Sequence, residues 1–276
     1  MLRDITLGQY FPGDSCIHRL DPRCKLLITT ILIVIVFCIK SFISYALLAV
    51  FLLIAAKLSG ISFRYLFKGL KPLWFIIVLT FILNAFLTTG EHVILALGFV
   101  RLTWEGLRSA LFFSLRLVFL ILCTSLLTLT TSPIALTDAM ETIFRPLTKI
   151  HFPVHELAMM MTIALRFIPT LLDETDKIMK AQSARGADFE SGNLLKRAKS
   201  MVPLLVPLFV SAFRRADELA MAMEARCYHG GNHRTRLHTL RFQTQDGIAL
   251  LITVFAMAAT IGSQFLPTLL IPILVH

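Results

Sequence analysis

Charge is scarce in this chain, and acid is scarcer than base. Asp, Glu, Lys and Arg make up 16% of its 276 residues, as 17 acids and 27 bases, for a formal charge of +10. Soluble domains carry about a quarter charged residues, so a water-soluble fold is excluded. The cations cluster beside apolar runs, which fits loops on the cytoplasmic side of a membrane and not a nucleic-acid partner. Cysteine numbers five, none in a CxxC pair and two within apolar runs, so no disulfide framework is expected. No cluster of carboxylates or histidines lies within an apolar run, which argues against catalysis at membrane depth. There is no GxxxxGK[ST] phosphate loop, so the chain should not bind or hydrolyse ATP alone. No cleavable leader is expected, because the first residues are polar and the first apolar run starts only at Leu26.

What is abundant is apolar: 56% of residues are hydrophobic, with a mean hydropathy of +0.76. Apolar runs occupy 26–39, 41–58, 72–89, 107–130 and 248–266, each at or slightly under the length that crosses a bilayer. The fold expected is an all-α integral membrane protein with about five spans and additional long amphipathic helices. Its parts are 1–131 with about four spans, an intervening region 132–245, and a last span in 246–276. The first two runs are separated by Lys40-Ser41 alone. Asp21-Pro22 suits a helix entry, Asp as N-cap and Pro at the first position. Arg19, Arg23 and Lys25 stand just before the first span and anchor that end in the cytoplasm. The loop carrying Lys57, Arg64, Lys68 and Lys71 has no acid and also belongs inside. Gly90–Trp104 reads as an outside loop with a short strand or hairpin. Five spans with the N-terminus inside leave the C-terminus outside. Arg116 falls within the fourth run, where a cation marks a buried partner, functional or structural; no acid in the other spans offers itself.

Thr130-Thr131-Ser132-Pro133 ends the fourth span and opens a new helix, Ser132 as cap. Over 134–146 the residues Leu136, Met140, Ile143 and Leu147 share one face and Thr137 another, as on an amphipathic surface helix. Two long helical runs follow, from Pro153 and from Leu194. Asp173–Lys177 and Asp176–Lys180 have the favourable (i, i+4) order, and Pro169 should bend the first run. Met159, Met160 and Met161 suit a packing role. The second run starts with the cations Lys196, Arg197 and Lys199 and includes Pro203 and Pro207. Asp188–Asn193 reads as a polar turn, and Tyr228–Arg236 as a basic, glycine-containing loop. Cys227, His229 and His233 fall short of a metal site, since zinc takes three or four ligands and no second cluster accompanies them.

The two runs end on near-copies: Ala181-Gln182-Ser183-Ala184-Arg185-Gly186 and Ala222-Met223-Glu224-Ala225-Arg226-Cys227, with Asp176 and Asp217 each nine residues before the arginine. Alanine leaves room for a close-approaching surface. Gly186 can take the positive-φ position that stops a helix. Arg185 and Arg226 then project from the tips, suited to the dipole and able to present a planar fork of donors to a carboxylate or to carbonyls. One such tip is an ordinary helix end. Two on one chain point to two similar sockets.

These residues resemble the transmembrane T component of energy-coupling factor (ECF) transporters, prokaryotic importers of vitamins and metal ions. The likeness rests on Gly8-Gln9-Tyr10, Ser15–Lys25 with its Leu-Asp-Pro-Arg core, Thr130–Pro133, Glu156–Pro169 including Arg166, and the paired Ala-Arg ends. The resemblance implies that the chain links two cytoplasmic ABC-type ATPases, identical or different, to a small membrane S component that binds the vitamin or metal ion. ATP and Mg would sit on the ATPases, and this chain would bind no cofactor or metal. The coupling residues implied are Ala184, Arg185, Gly186, Ala225, Arg226 and Cys227, supported by Asp21, Pro22, Arg23, Lys25, Glu156, Arg166, Pro169, Asp176 and Asp217. The long helices would be cytoplasmic coupling helices on a multi-pass protein of the cell membrane, and the start Met1–Tyr10 looks like the type that serves several S components. Cys227 departs from the pattern, where glycine is usual, and a cysteine fits less easily at a positive-φ cap. Two other readings stand beside this one: a conventional ABC permease that forms the substrate path itself, for which Arg116 is the only hint, and a membrane-embedded enzyme.

Overall fold

A computed structural model of the chain describes residues 10–89, 92–97, 100–187, 189, 193–230, 240 and 242–264. Most of the polar turn 188–193 and the loop beyond Gly230 fall outside these residues, as do the side chains of Lys196, Arg197 and Lys199. The chain separates into two units, Gly8–Ala139 with Leu240–His276, and Met140–Thr239 with Met1–Leu7.

In the first unit, helix α1 (Pro22–Cys38) starts at the expected cap: the Asp21 carboxylate accepts the Arg23 N–H at 2.8 Å. Pro22 takes a position whose N–H would be unpaired anyway. Helix α2 (Phe42–Ser59) follows after three residues, capped by the Ser41 hydroxyl and ended by Gly60 at φ +69. The basic stretch read as a loop is largely helical instead. Helix α3 (Phe63–Leu70) carries Arg64 and Lys68 one turn apart, with Lys71 just beyond, so the cations share one exposed face while Leu66 is buried on another. A 3-10 turn at Lys71–Leu73 accommodates Pro72, and α4 (Trp74–Leu87) continues the path.

Strands β1 (Val93–Leu97) and β2 (Val100–Thr103) pair antiparallel, the hairpin expected before the next span. Helix α5 (Trp104–Thr130) opens on Thr103, whose hydroxyl accepts the Gly106 N–H at 3.1 Å. Gly106 is required here: a Cβ would lie 2.8 Å from the Ala85 carbonyl oxygen, so its absence lets α5 approach α4. Helix α9 (Thr244–Gly262) begins four residues before the expected 248, because Gln243 and Asp246 form a reciprocal capping box that satisfies two end donors. The core joins Val36 of α1 and Ile39 at its C-cap, Tyr45 and Leu48 of α2, Phe119 and Cys123 of α5, and Met257 of α9.

Helix α6 (Pro133–Phe144) is capped by Ser132, whose hydroxyl accepts the Ala135 N–H at 3.3 Å. Its burial differs from the expected face. Met140 is exposed, as is Leu147 in the 3-10 turn Arg145–Ile150 that follows, while Thr137 and Ala139 are buried. The Thr137 hydroxyl donates to the Pro133 carbonyl at 2.9 Å, so burying it leaves no orphan donor.

The second unit is built on α7 (Val154–Ala184) and α8 (Leu194–Ala225), which pack together. Glu141 accepts from His155 at 2.9 Å and ties α6 to α7. Pro169 lies inside α7, and Pro203 and Pro207 inside α8, without ending either helix. Little of this unit is buried. Met160 and Met161 are 54% and 55% exposed, so they are not core residues of this chain. Leu157, Phe209 and Phe213 are exposed as well.

Among the described residues, five helical stretches are long and apolar enough to cross a membrane: α2, Phe63–Leu87, α5, α7 and α9. The protein is thus a multi-pass helical membrane protein. Helix α1 has 17 residues, about 26 Å at 1.5 Å per residue, at the short end of what crosses a bilayer. Helix α7 meets the same measure of length and composition, although its second half carries Asp173, Glu174, Asp176, Lys177 and Lys180.

Candidate functional site

The two arginine tips have the same construction. Helix α7 ends at Ala184 with Arg185 as cap. The Gly186 N–H donates to the Ser183 carbonyl and the Ala187 N–H to the Gln182 carbonyl, both at 3.0 Å. Gly186 is at φ +88. This is a Schellman motif, in which a left-handed residue turns the chain back over its last carbonyls. Helix α8 repeats it bond for bond. The Cys227 N–H donates to Glu224 at 2.8 Å and the Tyr228 N–H to Met223 at 3.0 Å, around the cap Arg226.

Cys227 therefore does not alter the backbone, contrary to what its side chain suggests: it takes φ +57. Two hydrogen bonds across the motif hold it there, and the His229 ring and the Cys227 carbonyl lie 2.9 Å apart. Ala184, Arg185, Gly186, Ala225, Arg226 and Cys227 are all exposed. Nothing lies within 4 Å of where a Gly186 Cβ would stand, so the glycine serves conformation and not clearance within this chain. Each tip is a short, small-residue knob that presents one guanidinium to the outside.

Behind the tips, the ion pair that forms differs from those the spacing suggested. Among the described residues, neither Asp173–Lys177 nor Asp176–Lys180 closes to pairing distance; Glu174 accepts from Arg215 across the two helices. A groove of about 260 Å³ adjoins this pair, lined by Ile163, Phe167, Leu171, Leu219 and Met223. Asp176 is half-buried and Asp217 exposed, so the matched positions do not have matched surroundings. Glu156 is exposed in the first turn of α7, where an acid suits the positive helix end. Arg166 and Pro169 are also exposed.

The N-terminal candidates sit in the other unit. Lys25 is buried, not an exposed membrane anchor. Its ammonium donates to the His18 carbonyl at 3.0 Å and the Thr130 carbonyl at 2.9 Å. It thereby joins the Leu-Asp-Pro-Arg stretch to Thr130–Pro133. Asp21 is buried, Pro22 and Arg23 half-buried. The residue missed from the sequence is Asp246, 1% exposed. One carboxylate oxygen accepts the Asp21 N–H at 2.7 Å and the other the Gln243 N–H at 2.8 Å. An acid three residues after a candidate cap and directly before an apolar run was its signal.

Arg116 finds neutral partners. It donates to the Ile39 carbonyl at 3.3 Å and the Tyr45 hydroxyl at 3.4 Å, and lies 5.3 Å from the ring centres of both Phe112 and Phe113. A helix-end carbonyl and aromatic faces take the place of the acid that the sequence did not offer. Among the described residues no group of three or more His, Cys, Asp or Glu is placed to hold a metal ion; His233 lies outside them.

A family model described as "Cobalt transport protein" matches residues 13–237. Three relatives carry the description "Energy-coupling factor transporter transmembrane protein EcfT". The chain is 58% identical to that of Thermosediminibacter oceani over 265 residues, 96% of this chain and 100% of the relative. It is 57% identical to that of Clostridium kluyveri, over 96% of this chain and 98% of the relative. Against that of Bacillus subtilis the identity is 50%, over 94% and 97%.

Proposed function

The chain belongs to the family of energy-coupling factor transporter transmembrane proteins, and from that membership we propose that it transmits work from two ATPase subunits to a substrate-binding membrane S component. In this reading the ATPases, a hetero- or homodimer, hold ATP and Mg. The S component holds a vitamin or a metal ion, and this chain catalyses nothing. It serves as a shared module. The N-terminus, α7 and α8 lie on the cytoplasmic side and the C-terminus outside, by the asymmetry of the basic loops.

The observation that carries the proposal is the pair of identically capped helix ends. Two homologous ATPases offer two similar grooves, and this chain offers two similar knobs with one exposed guanidinium each. Arg185 and Arg226 are the plugs, each held by a charge-assisted, forked contact to carboxylate or carbonyl groups. Ala184, Gly186, Ala225 and Cys227 keep the approach close. Asp21, Pro22, Arg23, Lys25, Glu156, Arg166, Pro169, Asp176 and Asp217 act as support for the helices and do not touch the ATPases. ATPase closure then changes the relation between α7 and α8, and their exposed apolar surface passes the change to the S component. The Arg116 contacts favour a structural part for that residue and weaken the rival reading of a substrate path through this chain.

The test uses the full transporter. Glu174 and Arg215 touch across α7 and α8 through long side chains, so Glu174→Cys with Arg215→Cys, in a background without the native cysteines, can be bridged by a short bis-methanethiosulfonate cross-linker, which replaces the reach of the two side chains. Bridging should abolish ATP-driven release of the S component's substrate, and reduction of the cross-link should restore it. Release that stays ATP-sensitive in the joined protein would sink the mechanism.

A further inference from the structure

The first unit contains an apolar groove between α2, α3 and α5, about 150 Å³ in volume. Leu52, Ala56, Leu66 and Phe119 in its lining are buried, while Leu53 and Phe67 are more than half exposed. Every lining residue is apolar. Helix α3 lies directly against α5 at this end of the bundle, since a Cβ on Gly69 would stand 2.7 Å from the Ser125 hydroxyl.

The same short helix that supplies Phe63, Leu66 and Phe67 to the groove carries Arg64 and Lys68 on its neighbouring face, with Lys71 one residue beyond its end. All three cations are exposed, as is Lys57 in the last turn of α2. Among the described residues none of the four is in an ion pair. The sequence has no Asp or Glu between Asp21 and Glu91, so the cations have no acid near them along the chain. An apolar slot and an uncompensated basic rim therefore share one helix.

We propose that this is a binding site for an anionic phospholipid of the cytoplasmic leaflet, with its phosphate on Arg64 and Lys68 and an acyl chain in the groove. Both halves of the site are then matched. A free phosphate would leave the groove unused. A peptide strand would bring backbone N–H and C=O groups against a lining with no polar side chain to receive them. A hydrocarbon chain has no such groups, and apolar cavities of this size stay dry and admit hydrocarbon. The basic face stands at the end of the bundle where cations gather beside anionic headgroups. The inference does not depend on the coupling role of α7 and α8.

The test compares phosphatidylglycerol and phosphatidylcholine analogues that carry a photoreactive diazirine on one acyl chain, in vesicles containing the full chain, with labelled positions read by peptide mass spectrometry. Labelling at Leu53, Phe67 and Leu122 should be about five- to thirtyfold higher with the glycerol headgroup, as one or two surface cations imply. Arg64→Gln with Lys68→Gln should bring it down to the choline level. Labelling at Phe75 and Leu87, exposed on α4, should be the same for both headgroups and both proteins. Equal labelling of the groove by the two headgroups, or no effect of the double substitution, overturns the proposal and leaves ordinary boundary lipid. Loss of the label when the membrane partner is added also overturns it, because the groove is then a protein's seat.

Discussion

Replacing Cys227 by glycine should tighten the end of α8, by an amount that follows from the backbone. Cys227 is held at φ +57, a region that costs a non-glycine residue roughly 1–2 kcal/mol. Glycine escapes that cost but surrenders roughly 0.5–1 kcal/mol in the entropy of the frayed chain. The net gain is about 0.5–1 kcal/mol, or about two- to fivefold in the balance between the closed and frayed last turn. The reporter is the Tyr228 amide, which closes the motif onto the Met223 carbonyl at 3.0 Å. Its hydrogen exchange in detergent-solubilised protein should slow by that factor. Gly186→Ala should do the reverse at the Ala187 amide. No steric term enters there, because the space around a Gly186 Cβ is empty. If Cys227→Gly leaves Tyr228 exchange unchanged or faster, the tip is not organised by a left-handed cap and the likeness of the two ends is accidental.

Three further substitutions probe the first unit. Asp246→Ala removes the acceptor of the Asp21 and Gln243 amides and should cost roughly 2–3 kcal/mol, read as a lower Tm in detergent. Gly106→Ala sets a methyl 2.8 Å from the Ala85 carbonyl oxygen and should cost about 1–3 kcal/mol by forcing α4 and α5 apart, again read as Tm. Arg116→Leu should leave transport intact and lower stability by about 1–2 kcal/mol, since the side chain is half-buried and gives up two long hydrogen bonds to neutral groups; loss of uptake with normal assembly would instead place Arg116 on a substrate path.

The parts of this protein that depend on neighbours in sequence were legible, and those that depend on distant partners were not. The caps Asp21 and Ser132, the hairpin before α5 and the paired helix ends follow from local chemistry, and each forms. Lys25 reads as a surface anchor because charge beside an apolar run normally is one; of its two partners, the His18 carbonyl is seven residues back but the Thr130 carbonyl is 105 residues away. Asp246 escaped notice because its partner Asp21 lies 225 residues back. A search for an acid near Arg116 could not find rings and a carbonyl. Helix α3 was hidden by its charge: four cations from Lys57 to Lys71 suggest a loop, although Arg64 and Lys68 are one turn apart and share a face. At Cys227 propensity pointed the wrong way, since the hydrogen bonds of the motif outweigh the preference of one residue.

The account rests most heavily on Arg185 and Arg226 as two plugs in two sockets. Its most direct measurement is co-purification of the ATPase pair with the full chain as wild type, Arg185→Glu, Arg226→Glu and the double variant. Each reversal removes a charge-assisted contact and adds repulsion, a loss of roughly 2–5 kcal/mol, on the order of 30-fold or more in affinity. Each single variant should bind the ATPases more weakly, and the double variant should lose them while still folding and eluting as a single species. If the double variant retains both ATPases and supports uptake, the arginines are ordinary helix caps and the coupling surface lies elsewhere on the chain.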